Sequence, residues 1–142
     1  NACWAMSGGR TAAQAVQDAT DYIAARKAAA TAAGVTLKVV LVGTIPREGG
    51  GGVTTDADRI ALSAILDDAD ATMASTWAAM GADAYVDPRQ VGSPFAWRSY
   101  AKANFDATAG LWNEVFPGRI HLTNAGYAVI AGLIAPAVAS LL

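Results

Sequence analysis

Hydrophobic and polar positions recur at helical spacing in two long stretches, the first of which runs from Thr11 to Ala33. Thr11 with Gln14 three residues later is the pattern of a capping box, and Gly34 is a typical stop signal. The segment that follows, Val35–Val42, is almost wholly apolar and rich in β-branched residues. Such a run is typical of a strand covered on both faces, as in a parallel sheet. We therefore predict a helix followed directly by a buried strand.

The second helical stretch spans Asp56–Met80, with Thr55 as the alternative cap. Gly81 stops it, and the short segment Ala82–Val86 follows as a strand that Asp87 closes. The order helix–strand–helix–strand predicts an α/β layer fold with right-handed crossovers.

The loop before the second helix contains four consecutive glycines, Gly49–Gly52. Its place between a strand and a helix is that of a phosphate-binding loop. However, no Lys-Ser/Thr pair follows the last glycine, and the spacing differs from that motif. A surface loop is the favoured interpretation.

The C-terminal half combines an aromatic segment with an uncharged tail. Periodicity fades between Arg89 and Arg119, yet this segment is rich in aromatic residues, so we predict a packed loop with a short helix at Tyr100–Asn104. The tail, Leu122–Leu142, contains no charged residue and is long enough for a membrane span. Its polar, glycine and proline positions, and the lack of a basic cluster at its flanks, favour a buried terminal helix lying on a sheet.

The composition fits one domain, residues 1–142, that buries a hydrophobic core. Hydrophobic residues make up 54% of the chain and charged residues 15%, and the formal net charge is −2. These values exclude a disordered chain, a coiled coil and a basic nucleic-acid-binding surface. The one cysteine, Cys3, cannot form an internal disulfide and leaves the compartment open.

The chain has one histidine, His121, so any imidazole chemistry must use it. It lies between the aromatic segment and the terminal helix, where an α/β fold exposes a base to a cleft at the sheet edge. The alternative is a histidine that caps the terminal helix or hydrogen-bonds to it. Position alone leaves both interpretations open.

Other reactive side chains carry weaker signals. The acidic residues Asp67, Asp68 and Asp70 lack regular metal-ligand spacing, which favours a solvated acidic face over a metal site. Cys3 has no neighbouring base, and Ser7 does not lie in a strand-to-helix elbow. We predict no metal and no cofactor.

Three segments, in order, resemble the SGNH (GDSL-type) hydrolase family. Ile120–Tyr127 (IHLTNAGY), with the Ala/Val/Ile helix after it, is similar to the last block of that family. Val39–Pro46 (VVLVGTIP) is similar to its strand before a Gly-Thr-x-Pro turn, and Arg59–Asp87 follows the same pattern. The resemblance covers nearly the whole chain. It implies a flavodoxin-like, three-layer α/β/α fold with a parallel sheet, and hydrolysis of esters of small acyl groups, lipids or decorated carbohydrates.

The resemblance also implies roles for individual residues. In this family a serine attacks the ester carbonyl and a histidine accepts its proton, a role that falls to His121. Asn1 lies where the asparagine of the oxyanion hole is expected. The family's aspartate, three residues before the histidine, is replaced by Gly118, so Glu114 or Asp87 is the candidate substitute acid.

The serine and glycine blocks that open the family's sequence have no counterpart here. The resemblance therefore predicts an incomplete fold that begins in the middle of the domain, near the Gly-x-Asn block, and lacks its N-terminal strand and helix. We expect the missing N-terminal segment, or another chain, to cover the exposed sheet.

Two functional hypotheses follow. The first is part of an SGNH-type serine esterase that acts on acyl, lipid or acetylated-carbohydrate esters once a serine-bearing segment completes it. The second is a catalytically degenerate domain that serves binding or assembly in a surface or virion structure, with the aromatic segment Phe95–Phe116 as a contact surface for glycans. Extracytoplasmic and virion-associated locations are compatible with both, and the sequence does not choose a compartment.

Overall fold

The computed structural model describes residues 11–46, 56–97, 102–113 and 121–142, with the backbone alone described for residues 56–63. Its helices are α1 (Ala12–Ala32), α2 (Asp56–Thr76), α3 (Lys102–Ala107), a 3₁₀ turn (Ala109–Leu111) and α4 (Asn124–Ala139). Its strands are β1 (Val40–Val42) and β2 (Ala84–Val86). The predicted order of helix, strand, helix and strand is confirmed.

Helix α1 begins and ends as its sequence predicts. The backbone N–H of Gln14 donates to Thr11 Oγ1 at 3.2 Å, and the Gln14 Oε1 atom accepts from the Thr11 N–H at 2.9 Å. This reciprocal pair is the capping box. At the other end Gly34 adopts a φ of +72°, a left-handed conformation that favours glycine and stops the helix.

The two strands are parallel, with Val40 opposite Ala84 and Val42 opposite Val86. The predicted start of the first strand at Val35 is wrong, because Val35 is 59% exposed and pairing begins only at Val40. The reason lies before the partner strand. Gly81, at a φ of +89°, turns the chain three residues before β2 begins, so no described strand lies beside residues 35–39. The strand residues are also half-buried rather than fully covered.

Helix α2 ends at Thr76, four residues before the predicted end at Met80. The hydroxyl of Thr76 donates to the Thr72 carbonyl at 2.6 Å, and the Ser75 hydroxyl donates to the Ala71 carbonyl at 3.0 Å. Side chains that bond back to the preceding turn compete with regular helix geometry. The chain then turns, and the Met80 N–H donates to the Thr76 carbonyl at 2.9 Å.

Hydrophobic side chains form two buried clusters. The first, which we call the helix cluster, lies between α1, α2 and the strands and consists of Ala12, Ile23, Ala69, Met73, Met80 and Ala82. The second, which we call the aromatic cluster, consists of Leu66, Phe95, Phe105, Trp112 and Leu122. The prediction that the aromatic segment packs is confirmed, but a contact surface for glycans is wrong for these aromatic residues, because all three are buried.

Helix α4 contacts both strands, which confirms a terminal helix on the sheet. The helix is less buried than predicted, since Tyr127 is 57% exposed and Val138 is 42% exposed. Gly126 in its first turn packs so closely that a Cβ atom there would lie 2.5 Å from the Leu111 carbonyl oxygen. Among the residues that the structure describes, no helix combines the length and apolarity needed to cross a membrane.

An ion-pair group lies at the amino ends of the strands. Asp83 accepts the Val39 N–H at 2.8 Å and lies 2.8 Å from Lys27 Nζ and 3.5 Å from Lys38 Nζ. The hydrogen bond from Lys27, and then that from the Val39 backbone, hold the pKa of Asp83 below its ordinary value of 3.8.

This shift predicts an acid-sensitive contribution to stability. A carboxylate with a lowered pKa in the folded state stabilises the protein above its unfolded-state pKa, and that stabilisation is lost as the pH falls below 3.8. We expect Asp83→Asn to lose less stability on acidification than the wild type, measured by urea denaturation at neutral pH and below pH 3.8. The exposed Asp68→Asn is the control, and equal losses in all three proteins would contradict this role of Asp83.

Candidate functional site

The carboxyl ends of both strands lie at one edge of the sheet, because the strands are parallel. Residues 43–46 leave β1 there, and residues 87–97 leave β2. Ligands of open α/β sheets bind at the carboxyl ends of the strands. The candidate site is therefore built from these two loops and the elements that pack on them.

A buried ion pair joins the two loops. Asp70, on α2, accepts the Thr44 N–H at 2.8 Å and the Thr44 hydroxyl at 2.9 Å. The same carboxylate accepts from Arg89 Nη2, and Arg89 Nη1 donates to Asp67 at 2.5 Å. The Arg89 side chain is fully buried and that of Asp70 is 4% exposed. We call Thr44, Asp67, Asp70 and Arg89 the loop clamp.

The prediction that these aspartates form a solvated acidic face is wrong for Asp70, which is buried in the loop clamp. Asp68 is exposed, as predicted, whereas Asp70 faces the sheet edge and is buried. A carboxylate leaves water only when a cation and further hydrogen bonds compensate for the lost hydration, and Arg89 with Thr44 supplies both. The signal in the sequence was the spacing of Asp67 and Asp70, three residues apart on one helix face, with an arginine three residues after the end of a strand.

Gly43 allows the loop after β1 to lie against β2. A Cβ atom at this position would lie 2.6 Å from Tyr85 Oη and 3.3 Å from Pro88 Cδ. Beside it is a cleft of about 270 Å³ that Asp67, Asp70, Tyr85 and Asp87 help to line.

His121 is exposed and lies immediately before α4. Its carbonyl accepts the Asn113 N–H at 2.9 Å, and the next residue, Leu122, pairs in antiparallel fashion with Trp112. The capping role that one interpretation gave to His121 belongs to Thr123, whose hydroxyl accepts the Gly126 N–H at 3.2 Å. The hydrogen bond from Asn113 and the pairing of Leu122 thus hold the backbone at His121, while the residue itself is exposed.

The neighbour of His121 connects it to the carboxyl edge of the sheet. Leu122 is 2% exposed and belongs to the aromatic cluster together with Phe95, from the loop after β2. Ile45, from the loop after β1, packs against the same cluster. Side chains from both loops therefore support the segment that carries the histidine.

The structure describes only part of the predicted site. Asn1 and Glu114 lie outside the described residues, as do Gly118, Cys3, Ser7 and the glycine loop. Asp87 is half-buried, and its Oδ1 atom accepts the Arg89 N–H at 2.8 Å, which shapes the turn after β2. Its predicted role beside the imidazole stays a prediction.

Within the described ranges, no three His, Cys, Asp or Glu side chains are grouped in a way that could hold a metal ion. The carboxylates of Asp67 and Asp70 instead share the guanidinium of Arg89. Comparison with protein-family models, with curated proteins and with solved structures found no match.

Proposed function

We propose that the chain is part of an SGNH-type serine ester hydrolase in which His121 is the general base. The observation that carries this proposal is the position of the sole histidine, exposed just before α4 and supported by loops from the carboxyl ends of two parallel strands. Bases in α/β enzymes act from such loops, which a rigid scaffold positions.

The reaction has two stages. A serine Oγ attacks the ester carbonyl carbon while His121 accepts the hydroxyl proton, and the tetrahedral intermediate expels the alcohol, which takes that proton. Water then attacks the acyl carbon while His121 accepts its proton, the bond from that carbon to the serine Oγ breaks to release the carboxylic acid, and His121 returns the proton to Oγ. Asn1 is the proposed side-chain donor to the oxyanion. Asp87 or Glu114 is the proposed carboxylate that orients the imidazole, because Gly118 stands where the family has an aspartate.

The packing of the strands supports the three-layer, flavodoxin-like α/β/α fold that this proposal requires. Val39, Leu41 and Tyr85 pack against the helix cluster on the side of α1 and α2. Side chains alternate between the two faces of a strand, so Val40 and Val42 point to the opposite face. Helix α4 contacts both strands and would supply the third layer.

An apolar cleft beside β1 supports the proposed serine-bearing segment. It measures about 360 Å³ and lies between α1 and the end of β1, with Val16, Ala19 and Leu41 among its lining residues. The register with β2 turns the backbone N–H and C=O groups of Val40 and Val42 toward the other edge of the strand, where none of the described residues pairs with them. We propose that the serine-bearing segment, from the same polypeptide or another chain, adds a strand at this edge.

The proposal is tested on the complete gene product, including any sequence that precedes this chain. We expect hydrolysis of p-nitrophenyl acetate, and labelling of a single serine by a fluorophosphonate probe, since the probe reacts with a serine hydroxyl that a base activates. Heat-denatured protein is the control for non-enzymatic labelling.

A folded product that neither hydrolyses the ester nor takes up the probe would overturn the esterase. The second candidate, a degenerate domain that serves assembly, would then be favoured, and Gly118 at the position of the orienting acid is the observation behind it. In that case restoring the carboxylate with Gly118→Asp would produce no turnover.

A further inference from the structure

The position of His121 depends on two loops that lack regular secondary structure over most of their length. Loops at the carboxyl ends of strands are more mobile than the elements that they connect. A general base must nevertheless be held close to its productive geometry, and a displacement of about 1 Å costs up to about 100-fold in rate. Some feature of the protein must therefore fix these loops.

A series of contacts that begins next to Arg89, in the loop clamp, holds the loop after β2. The Ser93 hydroxyl donates to the Pro88 carbonyl at 2.6 Å and accepts the Phe95 N–H at 3.1 Å. Phe95 is fully buried and meets the ring of Trp112 edge-on, with 5.7 Å between the ring centroids. Trp112 pairs with Leu122, the residue after the histidine. A continuous set of contacts thus leads from Arg89 to His121.

The loop after β1 reaches the same place by a shorter route. Asp70 accepts both the N–H and the hydroxyl of Thr44, which fixes the backbone at that residue. The next residue, Ile45, packs against the aromatic cluster that contains Leu122. Asp70 and Arg89 are joined to each other, so one buried ion pair controls both routes.

We propose that Asp70 and Arg89 are positioning residues for His121. They link the two loops, and through the packing of Ile45 and Phe95 they fix the position of His121 before α4. The proposal rests on the proposed function of His121 as the base, but the geometric effect is measurable without turnover. Because Asp70 contacts Thr44 in one loop and Arg89 in the other, each loop restricts the movement of the other.

The test follows the NMR signal of the imidazole Cε1–H group of His121 in the complete gene product, where its loss in the His121→Ala variant identifies it. We expect Asp70→Asn and Arg89→Lys to move this signal by more than its linewidth or to split it, since both variants alter the clamp. Ser93→Ala is the milder variant, for use where a clamp variant does not fold. It removes the hydroxyl that joins the Pro88 carbonyl to the Phe95 N–H and should shift the signal in the same direction.

The matched control is Asp83→Asn, which removes a paired carboxylate at the opposite ends of the strands. The proposal is overturned if folded Arg89→Lys and Ser93→Ala proteins leave the histidine signal at its wild-type position. It is equally overturned if Asp83→Asn moves the signal as far, because the effect would then be general loosening.

A second measurement separates this proposal from the proposed function. In the complete, active hydrolase, Arg89→Lys should lower kcat roughly 2- to 30-fold with little change in KM, the size expected for an effect transmitted through packed residues. A shifted histidine signal in a product without esterase activity would leave the positioning intact and refute the hydrolase alone.

Discussion

Replacing Asp70 by alanine is expected to lower the free energy of unfolding by about 3–5 kcal/mol. The substitution removes the more deeply buried of the two carboxylates that share the fully buried guanidinium of Arg89. It also removes the acceptor for the N–H and hydroxyl of Thr44, so the loop after β1 loses its anchor. Urea denaturation followed by circular dichroism measures the loss.

Two further variants identify the cause of that loss. Asp68→Ala, at an exposed position of the same helix, should change the stability by no more than about 0.5 kcal/mol. The double variant Asp70→Leu/Arg89→Met removes both charges together and should recover much of the lost stability, because apolar side chains of similar size can replace a buried ion pair. A loss for Asp70→Ala no greater than that for Asp68→Ala would show that the pair is not buried in solution.

If His121 is the general base, as proposed, replacing it by alanine in the complete gene product should lower kcat about 100- to 10,000-fold. No other side chain in this chain can exchange a proton as an imidazole does near neutral pH, because His121 is the sole histidine. The position is exposed, so the denaturation midpoint should stay near that of the wild type. Initial rates with p-nitrophenyl acetate, at several substrate concentrations, measure the effect.

The control for this variant is Tyr127→Phe, at an exposed position of α4 six residues after His121. It should retain wild-type kcat and KM. Activity of the His121→Ala protein equal to that of this control would contradict both the proposed role of His121 and the proposed hydrolase family.

The sequence predicted the helices well because the signals that begin and end them are local. The capping box at Thr11 and the stop at Gly34 depend only on neighbouring residues, and both are present in the structure. Strand length depends instead on a partner that is distant in the chain. The apolar run from Val35 therefore predicted a strand whose first five residues lie outside the strand pairing, which begins at Val40.

The residues of the candidate site also differ in whether local sequence or distant contacts identify them. His121 could be found from its position between a loop and a helix, which is a local property of the chain. The partnership of Asp70 with Arg89 spans 19 residues and depends on which face of α2 turns toward the sheet. The spacing of Asp67 and Asp70 shows only that they share a face. Periodicity alone did not show that this face points inward.

Gly126 determines the order in which the last helix can come apart. The backbone of α4 lies against Leu111 at this residue, whereas the far end of the helix carries Pro136 and the exposed Val138. Fraying should therefore start at the C-terminal turns and reach the first turn last. His121 precedes that first turn, so thermal opening of much of α4 can occur while the backbone at His121 stays in place.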